Sequence, residues 1–234
     1  MLIALVVFFA AFMQSLLGFG GALIAMPLLA TLVGIHTATP AFAIVGTLAT
    51  LLNAIRWRSH TSRPDLIRLI VPAVMGIPLG ISILARVDSA VVTHGLGVLL
   101  LIYVGYHLLG FVLPPLQHPA WAYATGFSSG VLSGAFNTGG PPVIVFASTR
   151  QWSPDQFRGN LQTYFLIISL FLVVGHWLCG NLTGHVWHTA LIGIPALVAG
   201  QFAGSRLCGR VKPDVFRRLA LVLLLLLGLQ LLFS

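Results

Sequence analysis

An all-α, polytopic membrane helix bundle built from two inverted repeats is the fold this sequence predicts, and three observations predict it. Only 7% of its 234 residues are charged and 58% are hydrophobic, with a mean hydropathy of +1.00, whereas a soluble domain carries about 25% charged residues. Long apolar runs bounded by charge recur along the chain, and two of the runs are interrupted by glycine at corresponding places. A span takes ~20 apolar residues and each loop a few more, so the bundle uses the full length and leaves no room for a soluble catalytic domain.

The chain opens with MLIALVVFFAAF, which has no basic leader region and therefore reads as a first membrane segment and not as a cleaved signal peptide. Residues 3–34 exceed one straight crossing and are cut by Gly18-Phe19-Gly20-Gly21. Ordinary spans follow near 39–55, 66–85 and 91–111. A second overlong stretch, 120–149, is cut by Asn137-Thr138-Gly139-Gly140-Pro141-Pro142, and spans near 159–180, 186–205 and 215–233 complete the series. Gly and Pro break or kink helices at both interruptions. Gly20-Gly21 recurs 119 residues on as Gly139-Gly140, while Gly76, Gly80, Arg86 and Val87 recur 124 residues on as Gly200, Gly204, Arg210 and Val211. The expected division is a first transmembrane repeat over 1–112 and a second over 113–234, with five residues inserted between the matching blocks.

Positive charge orients the repeats. If both interrupted stretches were single crossings, Arg56, Arg58, Arg63 and Arg68 would lie opposite the other eight basic residues. If 120–149 is instead a hairpin of two half-length helices, eleven of the twelve share one face and only Arg86 lies on the other. The positive-inside rule selects the hairpin. The first stretch carries no charge, and repeat symmetry makes it a hairpin as well. Each repeat is then a broken element followed by three spans, the two run in opposite directions, and both chain ends are external.

Several function classes drop out. The net charge of +8 reports cytoplasmic loops, so no nucleic-acid partner is expected. All four acids, Asp65, Asp88, Asp155 and Asp214, read as loop residues, and there is no Glu. Cys179 and Cys208 make neither a disulfide framework nor a metal pattern. His185 and His188 have an i, i+3 spacing without a third ligand of clear geometry, so no metal is assigned, and no cofactor is expected. His-Glu-x-x-His is absent, which removes that membrane-hydrolase signal, and no enzyme is expected.

The interruptions carry the candidate site. Non-helical backbone at membrane depth survives only where it is buried in protein or lines a polar cavity. Gly139 and Gly140 allow the chain to turn, and a half-helix is expected to begin at Pro141, with Pro142 next, where a missing N–H costs nothing. Inverted symmetry aims a second half-helix N-terminus, following Gly18, Gly20 and Gly21, at the same region. Two such termini, each with free N–H groups and about half a positive charge, hold an anion without a charged side chain. The competing reading is that these glycines only let helices pack closely.

Polar neighbours extend the list: Gln14 and Ser15 at the first break, Ser133, Asn137 and Thr138 at the second. Each can donate to an anion or cap a helix end. Arg158, at the start of its span, reads as a snorkelling anchor or as an anion contact, and His176, inside the same span, as a candidate proton relay. Asn53, Asn160, Gln162 and Tyr164 read as helix-helix or interfacial contacts.

Gly18-Phe19-Gly20-Gly21 followed by Pro27, paired with Gly134-Ala135-Phe136-Asn137-Thr138-Gly139-Gly140-Pro141-Pro142, resembles the sulfite exporter TauE/SafE family of membrane permeases, over essentially the whole chain. That resemblance implies a multi-pass carrier of the bacterial inner membrane. It implies a small sulfur-containing anion as substrate, sulfite, sulfoacetate or a related organosulfonate, usually moved outward, with protons as the coupling ion. The residues themselves lead to an alternating-access transporter of small anions, bound between the two breaks and gated by rocking of one repeat against the other. An anion or neutral-solute channel is the alternative, and a membrane-embedded metal-handling protein or enzyme the third reading.

Overall fold

The computed structural model describes residues 1–233 except 58–60, 62, 111–113, 117, 151 and 208–212, and contains helices and no strands among the described residues. In chain order the helices are α1 (Leu2–Leu17), α2 (Gly21–Val33), α3 (Ile35–Trp57), α4 (Arg63–Arg86), α5 (Ser89–Leu108), α6 (Pro119–Phe136), α7 (Gly140–Ser148), α8 (Pro154–Leu178), α9 (Gly184–Leu207) and α10 (Pro213–Phe233). Of these, α3, α4, α5, α8 and α9 are long and apolar enough to cross a membrane. The sixth expected span falls on α10. The expected repeat boundary between 112 and 113 lies outside the described residues, as do Cys208, Arg210, Val211 and Lys212.

Both overlong stretches are pairs of helices. With nine residues, α7 rises only about 14 Å, far short of the ~30 Å hydrocarbon core. Helix α6 runs beside α4 in the same direction: side chains built at Gly126, Gly130 and Gly134 would collide with α4 at Leu69, Ala73 and Ile77 in turn. Helix α1 runs beside α9 in the same way, with Gly200 against Phe8 and Ala11 and Gly204 against Phe12 and Ser15. Helices α3 and α8 are antiparallel, since Arg158 lies over Trp57 and Ser169 meets Thr50. The end of α3 and the starts of α4, α6 and α8 therefore share one face. Only residues 149–153 join α7 to α8, so α7 returns to that face. By the same logic α1 enters from the opposite face and α2 returns there, joined to α3 through Gly34. The two hairpins thus enter from opposite sides, and Arg56, Arg150, Arg158 and Arg206 lie at one face with Arg86 at the other.

The glycine recurrence has a physical basis. Gly76 faces the Phe127 carbonyl and Gly200 faces the Phe8 carbonyl, and Phe8 and Phe127 stand 119 residues apart. Small residues let membrane helices approach backbone to backbone, where van der Waals packing holds them. On α4 the stripe Ile67, Val71, Met75 and Leu79 is exposed while Leu69, Ala73 and Ile77 are buried. A helix that is apolar on both sides is expected where the outer solvent is lipid.

Two apolar cores result. One joins α4, α6, α7 and α8 around Leu69, Ile77, Phe146 and Ile168. The other joins α1, α2, α3 and α9, with α5 and α10, around Met13, Met26, Ile35 and Leu197. Helix α4 is thus packed with the second-half hairpin and α9 with the first.

Several sequence expectations are corrected. The acids are not all in loops: Asp65, Asp155 and Asp214 lie in the first turns of α4, α8 and α10, and only Asp88 lies outside a helix, as the N-cap of α5. The backbone amide of Ala90 donates to its carboxylate at 2.8 Å. Carboxylates favour helix N-termini, where the dipole is positive, and an apolar-run reading starts each helix after them. Helix α8 begins at Pro154 behind a capping box between Ser153 and Gln156, so Asn160, Gln162 and Tyr164 lie well inside it. Asn53 likewise lies within α3, a turn before its end.

Candidate functional site

The two hairpin turns are built alike. Helix α1 ends at Gly18 (φ 83°), whose amide donates to the Gln14 carbonyl at 2.8 Å, and α6 ends at Asn137 (φ 54°), whose amide donates to the Ser133 carbonyl at 2.8 Å. Both pairs are related by the same 119-residue offset as Gly20 and Gly139. Asn is the residue other than Gly that most readily takes the left-handed conformation, which explains why it can stand where the first repeat has glycine. Its side-chain amide donates to the Thr39 carbonyl at 3.3 Å.

Helix α7 starts at Gly140 and not at Pro141, so Pro141 and Pro142 are its second and third residues. The consequence exceeds the one-residue shift. Proline has no N–H, so of the four amides that open a helix without an intrahelical acceptor, α7 keeps only those of Gly140 and Val143. Helix α2 keeps those of Gly21, Ala22 and Leu23.

A cavity of about 80 Å³ lies between the turns. Gln14, Gly20 and Gly21 line it from the first break, and Ser133, Asn137, Thr138, Gly139 and Gly140 from the second. Thr50 of α3 and Ser169 of α8 add to its polar surface, and none of the described residues that line it is charged. The two hydroxyls lie 3.3 Å apart. The Thr138 hydroxyl is buried and has no hydrogen-bond partner among the described residues. Phe42, Phe165 and Leu172 supply apolar walls.

The second turn is pinned by a relay. Tyr164 donates to the Ser129 hydroxyl at 2.8 Å, and Ser129 donates to the Gly139 carbonyl at 2.6 Å. A Cβ on Gly139 would overlap Ser129 and Ser133, and one on Gly21 would overlap the Gln14 amide. At Gly140 there is room, the nearest atom being Ile144 Cδ1 at 3.5 Å.

Other predicted residues lie elsewhere. The Ser15 hydroxyl donates to the Gln201 carbonyl at 3.1 Å and ties α1 to α9. The Gly18 carbonyl accepts from the Gln162 side chain. Pro141 and Pro142 do not reach the cavity surface. His176 is fully buried, with its Nδ1 3.1 Å from Asn181 Nδ2, and lines neither this cavity nor its neighbour. Arg158 belongs to that neighbouring cavity. Thr50, Ser129 and Ser169 were not singled out by the sequence reading. The 119-residue offset would have found one pair, since it relates Thr50 to Ser169 as it relates the two glycine pairs.

The family model described as Sulfite exporter TauE/SafE matches residues 3–231. A curated relative named probable sulfite/organosulfonate exporter TauE, from Cupriavidus necator, is 26% identical over 94% of this chain and 88% of its own. Another, named probable inner membrane transporter protein TsaS, from Comamonas testosteroni, is 25% identical over 76% of this chain and 72% of its own. No solved structure matches the chain significantly.

Proposed function

We propose, since this chain belongs to the sulfite exporter TauE/SafE family, that it is a secondary carrier in a bacterial inner membrane, exporting sulfite or small organosulfonates. The observation that supports the anion site is that two half-helix N-termini, one from each half of the sequence, open on a single cavity without a charged side chain. Backbone N–H groups of α2 and α7 supply the positive potential. The Thr138 hydroxyl, which leaving unpaired costs on the order of 1–3 kcal/mol, gains an acceptor when an oxyanion enters. Gln14, Ser133, Asn137, Thr50 and Ser169 set the fit. At about 80 Å³ the space admits a few atoms, where drug-sized ligands take roughly 300 Å³ or more.

The packing supports an alternating-access reading. In this reading residues 1–112 and 113–234 are the units of repetition, and the bodies that rock are the two packed groups, α1–α3 with α9 and α6–α8 with α4. They meet along α3 and α8 at Thr50 and Ser169. With no carboxylate in the cavity wall, a weak-acid substrate such as hydrogen sulfite brings the coupled proton itself.

Purified protein in proteoliposomes tests this, given concentration jumps of sulfite, sulfoacetate, sulfate and a neutral solute, with Gly140→Trp as the blank. Saturable movement of a sulfur anion, lost in the blank while that variant stays folded, is expected. Counterflow from preloaded vesicles distinguishes carriage from a channel. Equal transport by wild type and Gly140→Trp would sink the site.

A further inference from the structure

A second cavity, of about 330 Å³, adjoins the first and shares Phe19, Gly20, Leu23 and Ile144 with it. Its remaining wall comes from α1, α2, α5, α7, α8 and α10, and towards the arginine-rich face it includes His107 near the end of α5, Ser148 at the end of α7, and Phe157 and Arg158 in the first turns of α8. It is about four times the volume of the central space. Phe19 stands in the partition, edge-on to Phe157 with centroids 6.4 Å apart.

Arg158 is the charge in this wall. Its guanidinium lies 5.2 Å from the centroid of the Trp57 ring. Among the described residues no carboxylate or hydrogen-bond acceptor meets it. Its stem passes Gly18, where an added Cβ would lie 3.4 Å from Arg158 Cγ, so the head is held beside the first break. A guanidinium offers five N–H donors in a rigid fork, and stacking on an indole uses none of them. The equivalent position 119 residues earlier is Thr39, whose carbonyl is closed off by the Asn137 side chain. The position that the repeat relates to Arg158 is thus an uncharged threonine, whereas Arg158 presents a cation without an acceptor among the described residues beside an open space.

We propose that this cavity is a second anion-binding site, where the substrate is captured by Arg158 on the cytoplasmic face before it passes Phe19 into the central cavity. The proposal rests on the anion-carrier reading and deepens it. Its ligand chemistry is a pair of anionic oxygens, from sulfite or a sulfonate, which a guanidinium fork matches two at a time. A lipid phosphate presents the same chemistry, and the wall is largely apolar, so the lipid must be controlled. The larger space takes a hydrated anion, and the smaller one beyond Phe19 a more fully dehydrated one.

Transport of sulfite by Arg158→Gln and Arg158→Lys is measured in phosphatidylcholine vesicles and again with phosphatidylglycerol, beside wild type and the Gly140→Trp blank. Arg158→Gln should raise KM about tenfold or more, the scale of a lost charged hydrogen bond, with kcat within about twofold of wild type. Arg158→Lys should recover part of the loss. Binding is read without transport from a protein retaining Trp57 as its sole tryptophan, titrated with sulfite and with methanesulfonate. The Trp57 fluorescence response should saturate, and Arg158→Gln should abolish it. An unchanged KM, a fall in kcat alone, or a Trp57 response that survives in Arg158→Gln overturns the proposal. So does a KM shift seen only with phosphatidylglycerol, which would make the occupant a lipid. Absence of blank-sensitive sulfite transport in wild type is a different result and removes the carrier reading beneath it.

Discussion

Gly139 and Gly140 are neighbours with opposite tolerances. The first is enclosed by Ser129 and Ser133, the second has space towards Ile144 and Phe165. Gly140→Ala should therefore fold and transport sulfite at a reduced rate, while Gly139→Ala should lower the thermal midpoint in detergent as the second turn shifts. Tyr164→Phe removes the donor that holds Ser129 on the Gly139 carbonyl. A lost buried hydrogen bond of this kind costs about 1 kcal/mol, so its midpoint should fall and its KM rise together. An unmoved KM would separate the relay from the site. At this scale the sequence was informative where backbone chemistry is restrictive, as at the two glycine pairs that line the cavity, and less so at their polar neighbours, of which Ser15 bonds α9 instead. It was silent at Thr50 and Ser169, because a hydroxyl inside a span ordinarily bonds its own helix. Both do so here, Thr50 to the Gly46 carbonyl at 3.0 Å and Ser169 to the Leu166 carbonyl at 2.9 Å.

Among the helices, the backbone contact of α4 with α6 concentrates the packing on few positions. Gly130 faces the backbone of Ala73, and Gly80 that of Val131 and Ala135. Gly130→Val should destabilise by about 1–3 kcal/mol or more, the usual cost of overpacking, read as a lower thermal midpoint and loss of monodisperse protein. Gly105→Ala is the control: nothing lies within 4 Å of its added Cβ, and Ala is favoured over Gly in a helix by roughly 1 kcal/mol, so stability should hold or rise. The hairpins were legible because charge counting is global and insensitive to where each helix begins. The start of α7 was read one residue late, since a Pro-Pro pair marks the first turn without marking its first residue. That residue matters, as it leaves α7 with fewer free amides than α2.

For the molecule as a whole, orientation has a natural reporter. Cys179 is exposed just beyond α8, on the face opposite Arg56, Arg150 and Arg206. In intact cells carrying Cys208→Ser, a membrane-impermeant maleimide should label Cys179 from outside. Labelling only after permeabilisation would reverse the inferred sidedness. Inverted repetition was readable from glycine offsets and arginine positions together. The exchange of α4 and α9 between the packed groups was not, because offsets between like residues say which positions correspond and nothing about which ones touch.

That exchange bears on how the chain is made. Helix α1 leaves the ribosome about 180 residues ahead of α9, which at 5–20 residues per second is a delay on the order of ten to forty seconds. Throughout that interval Phe8, Ala11 and Phe12 are without the α9 glycines they pack against, while α4 waits for α6 over a much shorter stretch of synthesis. The group formed by α4, α6, α7 and α8 is complete in the nascent chain before the group containing α1. Helix α1, made before α9, is thus among the last of these helices to find its partner.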